Sequence, residues 1–388
     1  MRYLAASLAA AMVLCATCAS AVDVRMGYLR QEIDHPPTLS NLDPVPDDDG
    51  LAGARVALED NSSTGRFLNQ TFALNVISVP PGGALLDAAR TALADTQLLV
   101  LDMPAADLIA VADLPEARGA ILMNVSAGDV ALRQADCRAN LLHVAPSDAM
   151  RTDALAQFLV RKRWTDVAMV TGTKPADLSF AAAMRHSLTK FQLKLRDEKA
   201  WDDKADMRRS AAQEIPPFTQ TLKEHDVLIV ADETDDFARY IAYNTWEPRP
   251  IAGSDGLRPR TWAPVVEQWG AAQLQSRFQG AAGRDMRPRD YAAWAAIRAI
   301  GEAVTRTNAA DPATLRAYLL SDDFELAGFK GRPLSFRPWN GQLRQPIPLV
   351  TDRAVVAMAP LDGFLHPVSE LDTLGQDAPE STCTVFED

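Results

Sequence analysis

The sequence predicts an α/β protein whose strands form parallel sheets covered by helices. Apolar strand-like runs alternate with amphipathic helical ones along most of the chain, at the spacing of βα units. Runs such as "VLIVA" at 227–231 are apolar at every position, as in strands buried on both faces. The chain has 388 residues, 47% hydrophobic and 23% charged, which is enough for two domains.

The first element is the run "MRYLAASLAAAMVLCATCASA" at 1–21. Arg2 precedes an apolar stretch that ends in Ala19-Ser20-Ala21, the pattern of a cleaved secretory signal peptide. It is shorter than the roughly 20 apolar residues of a membrane span, so the mature chain is expected to begin near Val22. Cleavage removes Arg2 and no acid, which moves the formal net charge from −12 to −13. Nucleic acid and anionic membrane are therefore disfavoured as partners. Cleavage also removes Cys15 and Cys18. That leaves Cys137 and Cys383 as a pair in a chain bound for an oxidising compartment, where a disulfide is expected.

Strands are expected at 24–29, 72–79, 97–101, 119–125, 166–172, 226–231 and 250–254. Helices are expected in "GLAGARVALEDN", "ALLDAARTALAD", "ADLIAVAD", "MRTDALAQFLVRKRW" and "DLSFAAAMRHSLTKFQ". A long helix follows in "RDYAAWAAIRAIGEAVTRT", then one opening at Asp311-Pro312-Ala313, with Asp as cap and Pro in the first turn. The stretch 332–360 reads as strand-rich and the tail from Gly363 as irregular.

Ligands of open parallel sheets bind beyond the carboxyl ends of the strands. Those ends carry Asp102 and Met103, Asn124 and Ser126, Asp232 and Glu233, and Asp255. Thr234 is placed to cap a helix "DDFARYIAYNTW", with Asp235 and Asp236 complementing its dipole in the first turn. The sequence has no His-Glu-x-x-His, no G-x-S-x-G and no phosphate loop. Its histidines, at 35, 143, 186, 225 and 366, show no metal spacing, and His186 and His225 read as surface residues on helices. A non-enzyme is expected.

Three segments in order, "GLAGARVALEDNSSTGRFLNQTFAL", "CRANLLHVAPSDAMRTDALAQFLVRKRWTDVAMVTG" and "GFKGRPLSFRPWNGQLRQP", resemble the type I periplasmic binding proteins, the Leu/Ile/Val-type solute receptors of ABC importers. "FARYIAYNTWEPRPIAGSDGLRPRTW" and "DTLGQDAPESTCTVFED" are similar to the subgroup found with pyrroloquinoline-quinone-dependent alcohol dehydrogenase systems. The resemblance implies two Rossmann-like lobes that close by a three-crossing hinge. Crossings are expected near Ala145-Pro146-Ser147, near Leu257 to Trp262 and near Gly331-Arg332-Pro333. Lobe one is then 22–146 plus 262–331, lobe two 147–261 plus 332–360, and the tail 361–388. The resemblance further implies a monomer in the periplasm, with a small-molecule or ion ligand and with ABC permease and ATPase subunits as partners. A sensory or interaction module of the same fold is the alternative.

The site departs from the amino-acid receptors of that family. Asp102 and Met103 stand where small hydroxyl residues usually hold a carboxylate, while Asn124 and Ser126 keep the expected polarity. Asp255 matches the position of an acid that grips an ammonium, and Asp232-Glu233 replace glycines and an aromatic. The loop "QEIDHPPTLSNLDPVPDDDG" adds Asp43, Asp47, Asp48 and Asp49 near the same rim. Acids converging from both lobes repel unless protonated or bridged by a cation. The expected ligand is therefore a cationic solute or a hard metal ion, Ca²⁺ or a lanthanide, held by Asp102, Asp232, Glu233 and Asp255. An amino acid, an alcohol-derived metabolite and the quinone are the competitors, the last drawing on Arg30, Arg258 and Arg260.

Overall fold

A computed structural model of the protein describes residues 21–33, 45–201 and 207–386. All but the last residue of the expected signal, together with His35 and Asp43, lie outside the described residues.

The first lobe runs β1 (Val22–Gln31), α1 (Leu51–Leu68), β2 (Gln70–Val79), α2 (Leu85–Asp95), β3 (Leu98–Asp102), α3 (Ala105–Ala112), β4 (Ile121–Asn124) and β5 (Leu141–His143). Its five strands form one parallel sheet in the order β2-β1-β3-β4-β5. The second lobe runs α4 (Asp148–Lys162), β6 (Asp166–Thr171), α5 (Pro175–Lys190), β7 (Lys194–Ala200), α6 (Met207–Gln220), β8 (Val227–Ala231), α7 (Ala238–Ile241) and β9 (Ile251–Gly253). Its sheet is also parallel, in the order β7-β6-β8-β9. Every residue of β3 and β8 is buried, as their unbroken apolar runs require. The strand β7 had no apolar signature, because "KLRDEKA" is an edge strand with mostly half-exposed side chains.

The chain then continues through β10 (Arg258–Pro259), α8 (Ala271–Ala282), α9 (Pro288–Thr307), α10 (Pro312–Leu319), β11 (Leu326–Ala327), β12 (Pro333–Phe336), β13 (Leu343–Arg344), β14 (Ile347–Val350) and β15 (Val355–Ala359). The long helix α9 returns to lobe one, where Trp262 stacks on its Tyr291 at 4.9 Å and Asn61 of α1 donates to the Ile297 carbonyl at 2.8 Å.

The chain leaves the first core after Val144, enters the second at Met150 and is back in the first at Trp262, which marks two passages between the cores. The third differs. Leu334, Phe336 and Leu343 are buried with lobe one, and Ile347 is the first of the following residues in the core of lobe two. The passage therefore lies at 344–346 rather than near Gly331, because the β12–β13 hairpin has its apolar face on α9's side of the molecule. The strand β14 lies on the seam, with Ile347 and Leu349 in the second core and Val350 in the first, as a period of two allows.

The seam is polar and densely hydrogen-bonded, although His143 Nε2 is buried there without a partner among the described residues. Buried Arg133 donates to Gln342 Oε1 at 2.8 Å and to the Ala145 carbonyl at 2.8 Å, and Gln345 Nε2 donates to the Val144 carbonyl at 2.8 Å. Across it lies the tail. The Gly375 amide donates to Asp153 of lobe two at 2.8 Å, Asp372 accepts from Arg337 at 2.9 Å, and Cys383 is joined to Cys137 of lobe one by a disulfide with Cα atoms 5.8 Å apart. The expected disulfide is present, and the irregular tail is a strap over both lobes.

Candidate functional site

In sheets of this order the ligand-binding crevice opens where consecutive strands run outward in opposite directions from the first. That point lies between β1 and β3 in lobe one and between β6 and β8 in lobe two. In lobe one Arg30 and Asp102 are paired in register there. Asp102 Oδ2 accepts from the Tyr28 hydroxyl at 3.0 Å, and its Oδ1 lies 3.6 Å from Arg289 Nε in the first turn of α9. Burial, and then Asp102, push the Tyr28 phenol well above its ordinary value, so it remains a donor. Gly50 closes over this pair with φ 81°, and a Cβ there would meet the Tyr28 hydroxyl at 2.4 Å. The Gly50 amide is held by Asp290 at 2.8 Å, itself buried and gripped by Arg284 at 2.7 and 3.0 Å.

These residues frame a recess of about 390 Å³ lined by Arg30, Glu32, Asp47, Asp49, Asp102 and Arg289, among others. Asp49 is the least satisfied of them. Its Oδ1 is buried without a hydrogen bond, 3.6 Å from Arg287 Nε, and burial raises its carboxyl above the ordinary range. Asp48 turns away to pair with Arg284 at 2.9 Å.

Met103 and Ser126 satisfy each other, the hydroxyl accepting from the Met103 amide and donating to its carbonyl at 2.9 Å each. Asn124 is fully buried, its Oδ1 accepting from the amides of Ser126 and Ala127 at 3.1 and 2.9 Å. It shapes the loop after β4 rather than facing the cleft. Beside it His143 is buried and held well below its ordinary pKa by desolvation and by Arg133.

In lobe two the expected roles change places. Asp232, not Thr234, caps α7: its carboxylate accepts the amides of Asp236, Phe237 and Ala238 at 3.0, 2.7 and 2.8 Å. Four buried or half-buried bonds leave it no lone pair for a ligand in the cleft. Asp235 and Asp236 pair instead with Arg239 and Lys174. Glu233 meets Arg151, from the first turn of α4, through two bonds of 2.7 and 3.0 Å, and accepts from Ser254 at 2.9 Å. Burial by itself would raise the Glu233 carboxyl, but Arg151 overrides it and holds the group below its ordinary range. Asp255 is half-buried and accepts from the Gly256 amide at 2.7 Å.

The structure therefore does not bring the four expected metal ligands together. Each acid is engaged at its own place, and among the described residues no cluster of three or more potential ligands could hold an ion. Sequence reading missed the arginines that neutralise two of them, because Arg289 and Arg151 stand 187 and 82 positions from their partners Asp102 and Glu233. It also missed His225, which is buried in a loop with its ring bonded to the Lys223 carbonyl at 2.7 Å.

The carboxyl edges of the two sheets meet at the first passage. The Asp148 amide of α4 donates to the Gly128 carbonyl after β4 at 2.8 Å, one turn before Arg151 reaches Glu233 at the end of β8.

No protein-family model and no curated protein matches the sequence. Solved structures do match its fold. A branched-chain amino acid ABC transporter periplasmic ligand-binding protein from Burkholderia xenovorans aligns with a TM-score of 0.70 at 14% identity, over 94% of this chain and 100% of that one. An ABC transporter substrate-binding protein from Desulfitobacterium hafniense in complex with Leu aligns at 0.62 and 14%, over 86% and 99%. A solute-binding protein from Rhodopseudomonas palustris in complex with 3,4-dihydroxybenzoic acid aligns at 0.60 and 13%, over 85% and 93%. The architecture is thus the two-lobe type I periplasmic binding protein fold.

Proposed function

We propose that the protein is the periplasmic solute-binding component of an ABC importer, closing its two lobes over a small solute and presenting it to a permease and its ATPase. The observation that carries this reading is the meeting of two parallel-sheet carboxyl edges at a seam of three passages. Such an arrangement makes one cleft out of two crevices, and hinge bending at the passages opens and shuts it. The fold likeness supports the same reading, since its neighbours are named as transporter receptors for amino acids and aromatic acids. Among the described residues no helix is long and apolar enough to cross a membrane.

A bare Ca²⁺ or lanthanide ion held by Asp102, Asp232, Glu233 and Asp255 has less support than an organic solute. Those carboxylates already have arginine, amide or hydroxyl partners. The link to quinone-dependent alcohol oxidation rests on the tail and passage motifs alone.

The test is a thermal-shift screen of the mature chain against amino acids, aromatic acids, polyamines, alcohols, the quinone and metal ions, because a ligand of the folded state raises the melting temperature. Small-angle scattering with each hit should show a smaller radius of gyration. Hits that leave the scattering unchanged would refute closure.

A further inference from the structure

Arg260 stands on the second passage, between β10 and the buried Trp262, with its amide bonded to the Pro348 carbonyl at 3.0 Å. Its half-buried side chain belongs to a group of three arginines at the lobe-two edge of the cleft. The other two are committed. Arg151 holds Glu233 and Asp148, and Arg258 pairs with Asp352 while its Nε stays buried without a partner. The acids nearest Arg260 are committed as well, Glu233 to Arg151 and Ser254 and Asp235 to Arg239. Among the described residues the Arg260 guanidinium has no hydrogen bond and no ion pair.

A guanidinium in this position is costly. Burial first, then the like charges of Arg258 and Arg151, pull its pKa down to about 10. Glu233 and Asp235 offset part of this, but among the described residues no carboxylate pairs directly with the cation, which stands at the edge where the ligand of this architecture sits. The planar fork of arginine matches a carboxylate, with two parallel charge-assisted bonds.

We propose that Arg260 is the anion subsite of the cleft, and that the solute carries a carboxylate which it grips when the lobes close. This rests on the solute-binding reading and reverses the sign expected from the sequence: Asp102, Asp232 and Glu233 are spent on internal partners, whereas the Arg260 guanidinium has no such partner among the described residues. The net charge of −12 acts against an anion only at long range, where salt screens it beyond about 8 Å at physiological ionic strength.

The experiment compares wild type with Arg260→Gln, using benzoate, 3,4-dihydroxybenzoate, leucine and succinate as carboxylate probes, benzamide as a neutral isostere, and putrescine as a cation. Calorimetry should show at least one carboxylate binding to wild type more tightly than benzamide. Arg260→Gln should weaken that binding roughly ten- to a hundredfold, the worth of a charged hydrogen-bonded pair, and leave benzamide unchanged. The melting temperature of the unliganded variant should equal or exceed that of wild type, because repulsion with Arg151 and Arg258 is relieved. A residue that merely supported the fold would give the opposite, a lower melting temperature, and that result overturns the proposal. Unchanged carboxylate affinity overturns it too, as does failure of every carboxylate to bind at millimolar concentration. Putrescine binding with lobe closure and no carboxylate binding would overturn the anion subsite while leaving the solute-binding reading in place.

Discussion

Removing Asp372 should unpin the strap at its buried charged residue. The carboxylate is 1% exposed and lies between Arg337, 2% exposed, and Arg344, 11% exposed. Its Oδ1 accepts from Arg337 Nε at 2.9 Å and from Arg344 Nε at 2.8 Å. In Asp372→Ala, Arg337 keeps its bonds to the carbonyls of Leu371 and Leu374 at 3.0 and 2.7 Å, so it cannot swing out to water. Two guanidiniums then face each other without a counter-charge. Breaking a buried pair in this way costs about 3–5 kcal/mol. Arg344 is partly exposed and retains the Phe336 carbonyl at 2.9 Å, which lets it relax and places the expected loss near 3 kcal/mol, at the low end of that range. With a urea m-value of about 3 kcal/mol/M, the midpoint falls by about 1 M. The assay is urea unfolding followed by tryptophan emission, for which Trp339 is a local reporter: both guanidiniums lie over its ring, 5.5 and 5.1 Å from the centroid. Adding Arg344→Met should recover part of the loss by removing one of the unpaired charges. A loss under about 1 kcal/mol, or no recovery in the double variant, would refute the argument that the pair is desolvated and mutually dependent.

Asp232→Ala should cost about 1–2 kcal/mol through loss of the α7 cap, seen as faster amide exchange at 236–238, while probe binding in the cleft stays within a few-fold of wild type. Cys137→Ser with Cys383→Ser should lower stability by up to about 5 kcal/mol, because the disulfide closes a loop of 246 residues, and protease should then cut the strap first. Glu233 is an acid whose pKa is held below its unfolded value of 4.5, so its contribution is full at neutral pH and is lost as pH falls through 4.5 toward the folded value. Urea midpoints at pH 7 and pH 3.5 should therefore differ less for Glu233→Gln than for wild type.

Most of the secondary structure was legible in the chain because burial on both faces writes itself as unbroken apolar runs, as in β3 and β8. The elements that escaped lack that imprint. β7 is a charged edge strand, β5 has three residues, and α7 is one turn where a longer helix was expected. The third passage was misplaced by about a dozen residues, since an apolar alternation such as "PLSF" says that a face is buried and not against which lobe.

The sequence by itself determined the class of fold, the pairing of Cys137 with Cys383 as the remaining cysteines, and the positions of the acids at strand ends. These follow from local chemistry: periodicity, counting and the place of a residue along its strand. What those acids do was decided only by the tertiary structure. Asp102 and Arg289 are 187 residues apart, Glu233 and Arg151 82, yet each pair meets in space. A charge in a folded protein is defined by what surrounds it, and that surrounding is assembled from distant parts of the chain. Read in line, the rim is a run of carboxylates; folded, most of them are neutralised from within, and among the described residues the Arg260 guanidinium has no hydrogen bond or ion pair.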